Sequence, residues 1–394
     1  MKTPTVASRK KVTPENLARL GAERLAELLA AAADSRPELK RRLRMELAAE
    51  QGPEHLAVEI DRRLASLETS RGKVSWRQRP TFVRDLEGLR TLIAERLAGL
   101  DRPAALARLW LFLGAARRVQ GRMRDRDGEL ASVYGRAARD VGQLLRADDP
   151  AGVEALAAAI AAHPVGWAGW LPELLAVAPA ELAGAVLRRL AAAPDPTPGR
   201  MPILRELARA AGEVEALAAT YTATALQTPA VAADLARAFL DAGRVAEAGA
   251  LLQAAAPDAK ASRRLAPAGD VDPLADWEGA FIDYLEAAGE AEAAQAARWA
   301  AFERTLSVER ARAFTSRLSG FDDVEAEERA FALASAHPQF ARGLAFLMAW
   351  PAPGEAARMI EARPDEVTAA PDEAELWAGR LAARHSAAAI LLLR

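Results

Sequence analysis

The chain has 394 residues, 51% of them apolar, 5% aromatic and 27% charged, with 25 glycines, 23 prolines and no cysteine. That apolar share excludes a disordered chain, and the missing cysteine excludes disulfides, zinc–thiolate sites and iron–sulfur clusters. The formal net charge of −2 hides a division: residues 1–150 hold 30 Lys and Arg against 21 Asp and Glu, and residues 151–394 hold 22 against 33.

Alanine, leucine, arginine and glutamate dominate, while valine, isoleucine, threonine and aromatic residues are sparse. This is a helix-forming composition with little material for strands, and it predicts an all-α protein. Residues 1–12 are polar and read as loose. Arg9, Lys10 and Lys11 have no apolar segment behind them, and no run approaches a membrane span; a soluble cytoplasmic protein is the expectation.

Thr13-Pro14-Glu15 supplies a helix cap, an N1 proline and a first-turn acid, with Leu17, Leu20, Leu25, Leu28 and Leu29 as the apolar face. Pro37 opens a second helix with Leu39, Leu43 and Leu47 on one side and Lys40, Arg41 and Arg44 elsewhere on its circumference. Gly52-Pro53 starts a third through Leu56, Ile60, Leu64 and Leu67. The pattern lapses in the segment TSRGKVSWRQRP, Thr69 to Pro80, a candidate boundary. Helices follow over Pro80–Leu100, with Phe82, Leu86, Leu89, Ile93 and Leu97 inward, then over Pro103–Met123 and Gly128–Leu145, with Leu106, Trp110, Leu113, Tyr134, Val141 and Leu145 as core candidates.

Beyond Asp148-Asp149-Pro150 the elements shorten, and each is marked off by Pro or Gly: His163-Pro164, Pro179, the Pro194 to Gly199 run, Gly212, Pro229 and Gly243. The best-formed unit is Val231 to Pro257. Measured from Leu235 it has Ala236, Phe239, Gly243, Ala248, Leu252 and Ala255, a spacing that resembles the tetratricopeptide repeat. The same spacing from Phe281 keeps Gly289, Ala294 and Ala301 but puts Arg298 at a core position, and from Leu204 it keeps only Gly212 and Tyr221. Pro257 to Pro273 reads as a mobile insertion. Later helices are expected over Trp277–Ala288, Ala291–Arg304, Val308–Leu318, Val324–Ala336, Gln339–Trp350, Pro353–Ala362 and Pro371–Arg384. The final HSAAAILLLR reads as the start of another helix without a polar cap, either cut short or docked on something.

The predicted architecture is thus an N-terminal helical region (1–70), a basic helical region with longer helices (71–147), and an irregular α-solenoid of antiparallel, tetratricopeptide-like hairpins (148–394). Its opening segment, from KVTPENLARLGAERLAELL through PELKRRLRMELAAE to VSWRQRPTFVRDLEGLR, resembles a family of proteobacterial helical proteins known as a domain of unknown function. Ser75-Trp76-Arg77 with Arg79-Pro80 is the most distinctive part. The resemblance implies an all-helical, repeat-like fold and carries over no activity, substrate or cofactor.

Motifs for nucleotide, hydrolase and metalloprotease chemistry are absent. His55, His163, His337 and His385 are solitary, and His163 and His337 precede proline at helix breaks, where a ring packs or caps. Asp125-Arg126-Asp127-Gly128-Glu129 lacks the ligands a calcium loop needs and reads as a charged turn. The acids from Asp322 to Glu328 read as a solvated helix start favoured by the helix dipole. Trp167 and Trp170 would share a helical face, with core packing the default and a binding hot spot the alternative.

The strongest functional candidate is Arg71, Lys73, Arg77, Arg79 and Arg84 interleaved with Trp76 and Phe82, since phosphates want cations on one face and single strands want aromatic platforms. Arg117, Arg118, Arg122, Arg124 and Arg126 would extend the patch if they lie alongside. Lys73, Trp76, Arg77, Arg79 and Arg84 are therefore the expected contacts to phosphate or to an acidic partner. The functional expectation is a non-enzymatic scaffold or adaptor that binds a protein or peptide, with no cofactor, metal or membrane; the alternative is nucleic-acid binding by the basic half.

Overall fold

A computed structural model describes residues 12–192, 199–258, 272–320 and 322–394. The expected loose start, most of the Pro194 to Gly199 break and most of the insertion from 257 to 273 lie outside the described residues. All regular structure among the described residues is helical, without a strand, and contacts divide the chain into two compact units, Met1–Glu213 and Val214–Arg394. No helix of the described residues is long and apolar enough to cross a membrane.

Unit 1 opens with α1 (Pro14–Ala18), capped by the Thr13 hydroxyl, which accepts from the Asn16 amide at 3.3 Å. The expected single helix is divided here, because Gly21 at φ 81 ends one segment and starts α2 (Ala22–Asp34). Of the leucines expected inward on this pair, Leu20, Leu28 and Leu29 are exposed. Next come α3 (Pro37–Gln51) and α4 (Pro53–Thr69), packed on one another. In α4 the expected face, Leu56, Ile60, Leu64 and Leu67, is buried; in α3 the buried residues are Met45, Ala48 and Ala49, and Leu47 is exposed. Alanines let a neighbouring backbone approach closely, and that stripe, not the leucine stripe, turns inward.

The segment between Thr69 and Arg79 is irregular, as its pattern predicts, and lies within unit 1. Helix α5 (Arg79–Thr91) runs through a π-turn (Leu92–Leu97) into α6 (Ala98–Leu100). The wider turn shifts the helical register, so Leu92 and Ile93 are both buried along with Leu86, Leu89 and Leu97. The next expected helix is interrupted near Ala115, giving α7 (Arg102–Gly114) and α8 (Ala116–Gln120), followed by α9 (Glu129–Leu144). Asp125 starts α9 by accepting from the Leu130 and Ala131 amides at 3.2 and 2.8 Å. Unit 1 continues through α10 (Pro150–Ala162), α11 (Pro164–Ala168), α12 (Leu171–Leu175), α13 (Ala180–Ala191) and α14 (Arg200–Ala211). Trp167 and Trp170 belong to its core, where Trp110 stands 6.1 Å from Trp167 and Tyr134 stacks 5.9 Å from Trp170.

Unit 2 contains α15 (Val214–Ala219), α16 (Pro229–Asp241), α17 (Val245–Ala254), α18 (Ala275–Ala287), α19 (Ala291–Thr305), α20 (Val308–Thr315), α21 (Asp322–Ser335), α22 (Phe340–Ala349), α23 (Pro353–Ala362), α24 (Pro371–Leu381) and α25 (Ser386–Leu392). Helices α16 and α17 pack together across Gly243, whose φ of 72 is open to glycine and strained for other residues. Ala233, Ala236, Ala248, Leu252 and Ala280 form a buried cluster there. Arg298, at its odd core position, is indeed buried and is matched by Glu286. A second, half-buried ionic group joins Arg304 to Asp272 at 2.6 Å and to Glu278 at 2.8 Å, with Arg310 3.1 Å from Asp272. Burial opposes ionisation of Asp272, but the Arg304 hydrogen bond prevails and holds its carboxyl below the ordinary aspartate value. His337 accepts from the Gln339 amide at 3.1 Å at the α21–α22 break, a local turn role.

Candidate functional site

Residues 70–78 cross the ends of helices and have few apolar side chains to bury, so their geometry is set by polar ties. Ser75 and Gln78 close a turn: the Gln78 Oε1 atom accepts from the Ser75 amide at 3.2 Å and from its hydroxyl at 3.0 Å. Trp76 and Arg77 ride on that turn. Trp76 is 78% exposed, and every other tryptophan of the chain is at least half-buried. The Arg77 guanidinium stands 5.2 Å from the Trp76 ring centre, a cation–π arrangement.

The two basic stretches lie side by side. Val74 donates its amide to the Arg122 carbonyl at 3.0 Å, Lys73 Nζ donates to the Gly121 carbonyl at 2.8 Å, and Arg122 Nε donates to the Gly72 carbonyl at 2.8 Å. Arg122 also covers the Phe82 ring at 5.2 Å. These ties join the segment 70–78 to the segment 121–127, and Arg117 and Arg118 lie in α8, one turn before Gly121. Arg71, Arg77, Arg117, Arg118, Arg124 and Arg126 are exposed and form no ion pair among the described residues.

The expected contact residues divide by this geometry. Trp76 and Arg77 are free to meet a ligand, and Lys73 keeps two of its three N–H donors beyond the one given to Gly121. Arg79 is spent internally: it is largely covered, paired with Asp127 and 3.6 Å from Glu129, and the Asp127 carboxylate raises its pKa above the ordinary arginine value. Arg84 lies a turn further along α5, donating to the Pro80 carbonyl at 3.2 Å and the Thr81 hydroxyl at 3.4 Å. No group of three or more His, Asp or Glu side chains able to hold a metal ion occurs among the described residues.

A family model matches the chain over residues 7–191 and 200–394. The chain belongs to DUF6880, a family of unknown function. The DUF6880 match covers both units, including the segment that carries Trp76. No curated protein and no solved structure matches the chain. Arg36, Arg41, Arg42 and Arg63 form a further cationic group that no sequence motif marks. The sequence gives Arg41 only a place on a helix circumference, because Arg63 and Asp85, which complete the group, come from two other helices.

Proposed function

We propose that the chain is a non-enzymatic helical-repeat protein that binds an acidic segment of a protein partner through the face around Trp76. Within unit 2, the helices form tetratricopeptide-like antiparallel hairpins stacked as an irregular α-solenoid. Support for the repeat comes from burial of Leu235, Ala236, Ala248, Leu252 and Ala255 at the positions where that repeat needs apolar or small residues.

The observation that carries the binding role is a single exposed tryptophan against Arg77, on a segment tied to a second arginine-rich one, where Arg71, Arg77, Arg124 and Arg126 have no carboxylate partner among the described residues. Elsewhere in unit 1, Arg90, Arg108, Arg136, Arg139 and Arg189 each sit on a carboxylate. Burying one large aromatic side chain amid cations suits an acidic, partly apolar ligand, and tryptophan and arginine are the residues enriched at hot spots. Fluorescence anisotropy with a labelled Asp/Glu-rich peptide tests the reading. Saturable binding is expected, weakened about tenfold by Trp76→Ala and by Arg117→Glu with Arg118→Glu, and a peptide that does not bind at low salt sinks it.

A second reading, nucleic-acid binding, is favoured by one particular: the cations of two segments share a face with an aromatic ring on which a base can stack. A labelled single-stranded oligonucleotide in the same assay separates the two. Tighter binding of the oligonucleotide than of the peptide at equal salt selects this reading.

A further inference from the structure

Away from Trp76, α3, α4 and α5 enclose a cleft of about 530 Å³ within unit 1. Its lining includes five arginines, Arg36, Arg41, Arg42, Arg63 and Arg84, against two carboxylates, Glu38 and Asp85. Buried Met45, Leu89 and Leu92 give it an apolar wall. Clefts of roughly 300–1,000 Å³ with an apolar lining and a few convergent polar groups are the usual form of small-molecule sites.

The charges do not balance inside the cleft. Asp85 is engaged by both Arg63 and Arg41, the latter at 3.3 Å. Arg36 and Arg42 are exposed and have no ion pair among the described residues, and Arg84 reaches only neutral oxygens. Arg41 Nε is buried with no acceptor among the described residues, a donor whose desolvation they leave uncompensated. The N-terminus of the 15-residue helix α3 opens at the same place, with Arg36 as its cap residue and no side chain capping its first amides. A helix start of this kind favours an anion.

We propose that this cleft binds an organic phosphate: the phosphate among Arg36, Arg42, Arg84 and the start of α3, the organic group against Met45, Leu89 and Leu92. A surplus of three positive charges in the lining suits a ligand with two or more negative charges, and guanidinium groups grip phosphate by paired N–H donors. Of the contacts expected for the Trp76 face only Arg84 also lines the cleft, while Trp76, Arg77, Arg117 and Arg118 lie outside its lining, so separate variants test the two sites.

Isothermal titration of the full chain at about 50 mM salt, where screening is weak, tests the assignment with ADP, ribose 5-phosphate and inorganic phosphate. ADP should bind at one site per chain, about tenfold or more tighter than inorganic phosphate because adenosine covers the apolar wall, with ribose 5-phosphate between them. Arg36→Glu with Arg42→Glu should weaken ADP binding by about tenfold or more. Both residues are exposed and have no ion pair among the described residues, so thermal melting of this variant should match the parent. Arg117→Glu with Arg118→Glu should leave ADP binding unchanged. Absence of saturable ADP binding, equal affinity for ADP and inorganic phosphate, full binding by the Arg36/Arg42 variant, or an equal loss in the Arg117/Arg118 variant would each overturn the proposal.

Discussion

Tyr134 is fully buried among Phe112 and Trp170, and its hydroxyl finds no hydrogen-bond partner among the described residues. Burial pushes its phenol pKa well above the ordinary tyrosine value. The hydroxyl has lost water without gaining an acceptor, a cost of about 1–3 kcal/mol. Tyr134→Phe should therefore raise the unfolding free energy by about 1 kcal/mol. Tyr221 is the opposite case, since its hydroxyl donates to the Asp234 carboxylate at 2.6 Å. The same change there, Tyr221→Phe, removes a hydrogen bond to a charged group and should cost about 1 kcal/mol or more. Urea unfolding of the two variants checks the pair, and a Tyr134→Phe protein less stable than its parent would contradict the account. Neither sign is readable from sequence: period and burial place Tyr134 in the core, but whether an oxygen lies opposite its hydroxyl depends on another helix.

Helix starts and ends are legible because their signals are local. Pro37, Pro53, Pro150, Pro353 and Pro371 all fall in first turns, and Gly212, Gly243 and Gly289 all adopt positive φ after a helix. Which stripe faces inward is less legible, because α3 offers two, Leu39-Leu43-Leu47 and Met45-Ala48-Ala49, and the neighbour decides. The π-turn at Leu92–Leu97 leaves no composition signal at all. The candidate surface was legible as a list of cations and Trp76, while the internal use of Arg79 was not, since its partner Asp127 is 48 residues away. Close helix contacts give an element-scale prediction. A methyl added at Gly343 in α22 would overlap the Ala334 carbonyl oxygen of α21, and backbone cannot swing aside. At Gly379 in α24 the same methyl meets nothing within 4 Å. Gly343→Ala should destabilise the protein by about 1–3 kcal/mol through overpacking, and Gly379→Ala should stabilise it by about 0.5–1 kcal/mol through helix propensity. Denaturant midpoints for the two variants should move in opposite directions.

For the molecule as a whole, a net charge of −2 means that no general attraction draws a polyanion to the chain. Affinity for one has to come from a local concentration of cations that long-range repulsion does not cancel. At about 0.15 M ionic strength the screening length is about 8 Å, so the Trp76 face acts on an anion largely through its own arginines. The nucleic-acid reading therefore makes a quantitative demand on the full chain. If three to five phosphates of a single strand are neutralised there, the logarithm of the binding constant should fall against the logarithm of salt with a slope of about −2 to −3.5. Replacing Arg117 and Arg118 by glutamate should make that slope shallower by about 1.4, two phosphate contacts' worth. Trp76→Ala should lower affinity at every salt concentration while leaving the slope unchanged, because stacking releases no counterions. A slope near zero, or one indifferent to Arg117 and Arg118, would remove nucleic acid as the ligand of this face and leave the acidic peptide as the partner to pursue.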